Sequence, residues 1–402
     1  MMRSMSGFTN GLGFLLAITL LAANSLIASP SFIGIEGTTV VRALNADGNI
    51  AAAENYPSCF RWDSNDGLVD IGHLTIPGYG PNHATYVGGM SADGTVIVGS
   101  SSAFSYYWSK TQAYRWTPQE GMTSLVELSV LESQATGVSD DGRNIAGWIS
   151  DETGQHAVLW RDGQEVLRLE AGTVFWAISR NGVWATGTKA EDSQARAFRW
   201  SLGTGLEFLG EAAYGCYGRA ISEDGSVVVG QGAGTQPFRW TVGNGMESLG
   251  AIIAGEQGYA TTLSDDGTTV GGVLFQSGAF LWTEANGLRG LKHVLQTDHG
   301  MDLANWTLNS VWAISGDGRV VAGGGFKQMP FPVEHGFIAK LGELSIPRIA
   351  LTRESGSMRL EFSGVLQSSL DLADWQDVEP RPSSPYTLPP TEDRRFFRAR
   401  SH

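Results

Sequence analysis

Short apolar runs alternate with polar turns along residues 40–341, and the runs come in a fixed order. A run such as Trp176-Ala-Ile178 or Trp312-Ala-Ile314 precedes a polar phrase, and a run rich in branched residues follows it, as in Val96-Ile-Val98, Val227-Val-Val229 and Val320-Val-Ala322. A third run ends in Trp, as in Ala197-Phe-Arg-Trp200, and a fourth ends near Leu, as in Gly245-Met-Glu-Ser-Leu-Gly250. Branched and aromatic runs this short, bounded by Gly, Asp and Ser, predict strands.

The phrase between the first two runs recurs seven times, as Asn45-Ala-Asp-Gly48, Ser91-Ala-Asp-Gly94, Ser139-Asp-Asp-Gly142, Ser179-Arg-Asn-Gly182, Ser222-Glu-Asp-Gly225, Ser264-Asp-Asp-Gly267 and Ser315-Gly-Asp-Gly318. Asp-Gly or Asn-Gly between apolar runs is a hairpin signal, and it predicts a two-residue turn with φ > 0 at both central positions. Five residues after the turn glycine stands another in six copies: Gly99, Gly147, Gly187, Gly230, Gly272 and Gly323. A residue without a side chain there predicts a close approach of backbones or large side chains.

The turn glycines lie 40 to 51 residues apart. Four strands repeating at that period predict an all-β fold, a seven-bladed β-propeller of four-stranded blades. The seventh copy lacks a clean fourth strand after Leu341, and Phe32–Ile35 precede the first copy. The N-terminal segment is therefore expected to supply that missing strand. In such a fold the Asp-Gly turns share one face, and the loops of variable length share the other, where binding sites are expected.

These phrases resemble the HAF family of bacterial extracellular repeats, over about residues 40–341 and most closely over 217–250. Leu303-Ala-Asn-Trp-Thr-Leu308 running into Ser315-Gly-Asp-Gly318 is similar to the family's last repeat. The resemblance implies an extracellular repeat protein and carries no activity with it.

Residues 1–28 hold one early charge, Arg3, then an apolar run from Leu12 to Ala23, the pattern of a secretory signal peptide. The propeller is assigned to residues 29–342, and 343–402 to a small C-terminal β module. In that module Leu366–Trp375 and Arg395-Phe-Phe-Arg398 resemble a tail found on many secreted bacterial proteins. No other stretch is long enough to span a membrane once the signal is cleaved. The expected location is secreted, extracellular or periplasmic, or at a bacterial cell surface. The net charge of −14 argues against nucleic acid as a partner.

Candidate chemistry is sparse. The six repeated Trp residues (Trp62, Trp116, Trp160, Trp200, Trp240 and Trp282) read as core anchors, and the repeated Asp as turn stabilisers rather than calcium ligands. Cys59 and Cys216 fall in blades that are not neighbours, so a disulfide is not expected. His293, His299, Asp298 and Asp302 share one long connection but show no metal spacing. No metal or cofactor is implied. The one irregular feature is the aromatic run Phe104-Ser-Tyr-Tyr-Trp108, placed in a loop of the second repeat. Phe104, Tyr106, Tyr107 and Trp108, with Trp148, Asp151 and Glu152 of the third repeat, are the candidate ligand-binding residues, able to stack on sugar rings and bond their hydroxyls. The alternative is that the run packs on its own blade. The expected function is a non-catalytic binding or interaction scaffold for a glycan or an envelope or extracellular protein. A polysaccharide hydrolase or lyase, using Asp151, Glu152, Asp298 or Asp302, is the second reading, and a purely structural surface protein the third.

Overall fold

The computed structural model describes residues 30–105, 109–191, 194–210, 215–328 and 331–342, and strand segments within 349–400. The predicted signal peptide lies outside the described residues. The fold is all-β, with one short helix, Leu291–Thr297, among the described residues. Repeats two to six each form a four-stranded antiparallel sheet in simple chain order. Repeats one and seven share an eight-stranded sheet, joined through the single pair Val40↔Gly324. The arrangement is propeller-like.

The first strand of each repeat is innermost: Val40–Leu44, Asn82–Met90, Glu132–Val138, Thr173–Ile178, Tyr217–Ile221, Gly258–Leu263 and Trp306–Ile314. Each packs against the next, and the seventh packs against the first. The core is a set of layers between successive sheets. One layer combines Val96, Val98, Ala113 and Leu125 of repeat two with Ile145, Ile149, Val158 and Trp160 of repeat three. The repeated tryptophans sit in such layers, Trp160 fully buried and Trp62, Trp240 and Trp282 partly so.

The Ser-x-Asp-Gly phrase folds more tightly locked than a two-residue hairpin. The Gly94 amide bonds the Ser91 carbonyl (2.9 Å), and the Ser91 amide bonds the Val96 carbonyl (2.9 Å), which closes a longer loop. Only the glycine takes a positive φ, +68° at Gly94. Asp93 keeps a negative φ because its carboxylate accepts the Thr95 amide (2.9 Å) and the Ser91 hydroxyl (2.6 Å). Ser91 Oγ in turn accepts the Val96 amide (2.9 Å), so a buried serine finds partners inside its own loop.

The N-terminal strand Ser31–Ile35 pairs antiparallel with Pro332–Lys340, as the sequence predicts for the missing outer strand. Phe32 packs edge-on to Trp306 and stacks on Phe337, with centroids at 4.9 and 5.5 Å. The long connection before repeat seven is more ordered than a loop. Its helix buries Leu291, Val294 and Leu295 against Leu281, Leu303 and Trp306. Cys59 and Cys216 are both buried, and no disulfide joins them. The described C-terminal strands form two three-stranded sheets that pair only among themselves.

Candidate functional site

All seven inner strands carry a β-bulge at the same place. The register shifts between Val41 and Ala43, Val87 and Gly89, Ala135 and Gly137, Phe175 and Ala177, Gly218 and Ala220, Ala260 and Thr262, and Val311 and Ala313. The extra residue stands three before the loop serine or asparagine each time: Arg42, Gly88, Thr136, Trp176, Arg219, Thr261 and Trp312. A bulge leaves one residue outside the ladder and re-aims its side chain. All seven line a central cavity of about 320 Å³.

Two of the seven finish the scaffold. Thr136 donates to the Phe175 carbonyl of the next inner strand (3.0 Å), and Thr261 donates to the Val311 carbonyl. Four others carry chemistry. Arg219 lies over the Tyr259 ring (4.7 Å to the centroid), Tyr259 is 6.2 Å from Trp312, and Arg42 lies over Trp312 (4.1 Å). Two guanidiniums and two aromatic rings thus form one continuous stack, drawn from repeats five, six, seven and one. Arg219, Trp312 and Arg42 line the cavity, and Tyr259 supports them from outside that lining. Glu54 bonds Arg42 Nε at 2.9 Å and, with its other oxygen, accepts the Val87 amide at 2.9 Å, which fixes Arg42 in place. Trp176 anchors its indole N–H on Thr188 Oγ1 (3.0 Å) and lines the same cavity with Gln134.

The loop-side end of the cavity is crossed by Arg180. Its guanidinium contacts Asp265 (2.7 Å) and Asp140 (3.3 Å) and donates to the Ile314 carbonyl (3.0 Å), tying repeat four to repeats six, three and seven. Burial pushes the Asp265 carboxyl above its ordinary value; Arg180 draws it down, and the neighbouring Asp140 and Glu223 push it up again. Around this end, at five of the seven junctions, the residue after the loop serine or asparagine links to its counterpart in the next repeat by a backbone bond, as in Ala92 to Asp140 (3.1 Å) and Asp265 to Gly316 (2.9 Å). Asp140 and Asp265 are both engaged by one arginine.

The described residues among those singled out from the sequence lie outside the cavity lining. Tyr106, Tyr107 and Trp108 lie outside the described residues. Phe104 and Trp148 are in strands rather than loops, because the second strands of repeats two and three run on to Phe104 and Asp151. Trp148 stands opposite Gln134, one strand out from the cavity wall, and its indole N–H is buried with no partner among the described residues. Asp151 is occupied within its own sheet, bonded by Thr153 and ion-paired with Arg168 (3.2 Å), with His156 Nε2 at 3.3 Å. Glu152 is exposed in the adjoining turn. Asp298 is held by Arg289 at 2.6 Å. Among the described residues no group of three or more His, Cys, Asp or Glu side chains is placed to hold a metal, and no helix is long and apolar enough to cross a membrane.

Sequence reasoning passed over Arg42, Trp176, Arg219 and Trp312. A signal was present: with the copies aligned on the serine, the position three before it varies among Arg, Gly, Thr and Trp. No protein-family model matches the sequence, and no curated protein matches it, so the functional reading rests on these residues.

Proposed function

We propose that residues 29–342 form a seven-bladed propeller that acts as a non-catalytic binding scaffold, with the central cavity as its site. The eight-stranded sheet counts as two blades, the N-terminal strand completing the seventh. The cyclic packing of the inner strands supports that count. Residues 1–28 direct export, and the chain belongs with extracellular repeat proteins of the HAF type. Residues 343–402 form a separate module.

The observation that carries the binding reading is the row of bulged residues. Three of the seven positions hold Gly or Thr, yet the other four hold Arg or Trp, and all of them line one cavity. A concave site with aromatic walls and a few fixed polar groups is the usual form of a small-ligand site, and its volume falls at the low end of the ~300–1,000 Å³ range. Acid–base hydrolysis is less well supported, because Asp140 and Asp265 are both tied to Arg180.

A glycan array probed with the full chain and with a Trp176→Ala/Trp312→Ala double variant tests this. Binding lost in the variant, with an unchanged far-UV spectrum, supports the cavity. Binding kept there but lost in Tyr107→Ala/Trp108→Ala places the site at the aromatic run of the second repeat. A blank array with folded protein favours a structural role.

A further inference from the structure

Three guanidinium groups enter the cavity, and they are not equivalent. Arg180 is held by two carboxylates and Arg42 by one. Arg219 pairs with no carboxylate among the described residues. Among the described residues its one side-chain hydrogen bond is a long one to Gln231 Oε1 (3.4 Å), and its buried Nε has no acceptor. Burial pushes this guanidinium below its ordinary value. A desolvated cation with no counter-charge is an unfavourable arrangement, and one that a bound anion relieves.

We infer that the cavity takes an anionic sugar, its acidic group on the Arg219 fork and its ring against the lining tryptophans, Trp176 and Trp312. This rests on the cavity being the binding site. A guanidinium presents paired donors that match the two oxygens of a carboxylate or phosphate. The ring of Tyr259 under Arg219, and that of Trp312 under Arg42, hold both forks in fixed planes, so little ordering is left for binding to impose. Trp176 offers a ring face for sugar C–H groups, and the Gln134 amide offers a donor and an acceptor for hydroxyls. A neutral sugar would leave Arg219 uncompensated. The chain as a whole carries −14, so an anion is drawn in by this local charge against the overall field.

The test is titration of the full chain with D-glucuronate, glucose 6-phosphate and glucose, followed by ligand-detected NMR. Both anionic sugars should saturate, with glucose weaker by roughly tenfold or more, as expected for a lost charge-assisted bond. The stronger of the two anions identifies carboxylate or phosphate as the preferred acid. Arg219→Gln should reduce the anions to the level of glucose and leave glucose unchanged. Should that variant fail to fold, the wild-type chain is titrated in added salt instead. Salt should weaken the anions and spare glucose, and equal weakening of all three would count against the charge contact. Glucose binding as well as glucuronate, and lost in Trp176→Ala, overturns the anion inference while the cavity remains the site. No saturation by any of the three overturns the inference itself, and the array result then decides the underlying reading.

Discussion

Gly48, in the first loop phrase, packs on Val320, just past the last one: a Cβ at Gly48 would lie 2.6 Å from Val320 Cγ1. The same relation runs through the molecule. Gly94 meets Ile50, Gly142 meets Val96, and Gly267 meets Val227, each loop glycine seated on the preceding repeat. The Gly48 contact joins the two ends of the series. Gly48→Val forces a branched residue to φ +66° and into that contact. It should destabilise the fold by about 2–4 kcal/mol, left-handed strain and overpacking together. Gly121→Ala, at φ +69° with open space around it, should lose only about 1 kcal/mol. Urea midpoints of the two variants check the difference.

Removal of residues 29–38 takes away the outer strand of the seventh repeat. Phe32 then leaves Trp306 and Phe337, and the buried Ile35 is lost with it. The expected loss is about 3–5 kcal/mol, on the scale of a large core truncation. Phe32→Ala alone, at a partly buried position, should lose about 2 kcal/mol. An unchanged melting temperature in the truncated chain would contradict this role for the strand.

Arg180→Met should destabilise the chain more at pH 7 than at pH 4. The folded-state pKa of Asp265 is raised, so its contribution is fully present below the ordinary aspartate value and is lost as pH rises through the folded value. Arg180 opposes that rise, and its removal leaves Asp140 and Asp265 charged and unpaired. Denaturant midpoints of wild type and variant at the two pH values give the comparison, and a deficit that shrinks toward neutrality would count against it.

Ser139→Ala tests the loop lock. Ser139 is buried, bonds Asp141 and accepts the Asn144 amide (3.0 Å). Losing it should destabilise the fold by about 1–2 kcal/mol, since a part-buried amide loses its acceptor. The Ser139 hydroxyl, and after it the Arg143 amide, hold Asp141 below the usual carboxylate range. A depressed carboxylate contributes above its ordinary value, and that contribution is lost as pH falls through the folded value. The gap between wild type and variant should therefore narrow in acid, which melting curves from pH 7 down to about 3 will show.

The local pattern carried much of the architecture. The Ser-x-Asp-Gly phrase, the tryptophan of the third strand and the mid-strand glycine each encode one strand-and-turn unit through nearest neighbours in the chain. The spare strand at Phe32–Ile35 was legible because the seventh copy lacked one. Strand length was not. Ser100-Ser-Ser102 breaks the apolar pattern, yet these serines are buried, and Ser101 Oγ accepts the Leu74 amide at 3.0 Å from a distant connection. That partner is supplied by tertiary contact, so the strand continues to Phe104 where the residues alone read as loop.

The sequence by itself determined the repeat, the β character and the serine's bond to its own loop, because these depend on backbone preferences and on contacts a few residues apart. The two-residue turn with φ > 0 at both central positions does not form, since the Asp carboxylate accepts a loop amide and only the glycine turns left-handed. Only the tertiary structure decided where chemistry gathers. A bulge arises from a mismatch between two paired strands, so nothing in one strand announces that Arg42, Trp176, Arg219 and Trp312 leave the ladder at the same level. Arg180 reaches Ile314 across 134 residues of chain. Such meetings follow from the packing of one sheet on the next, and packing brings together residues that no local pattern relates.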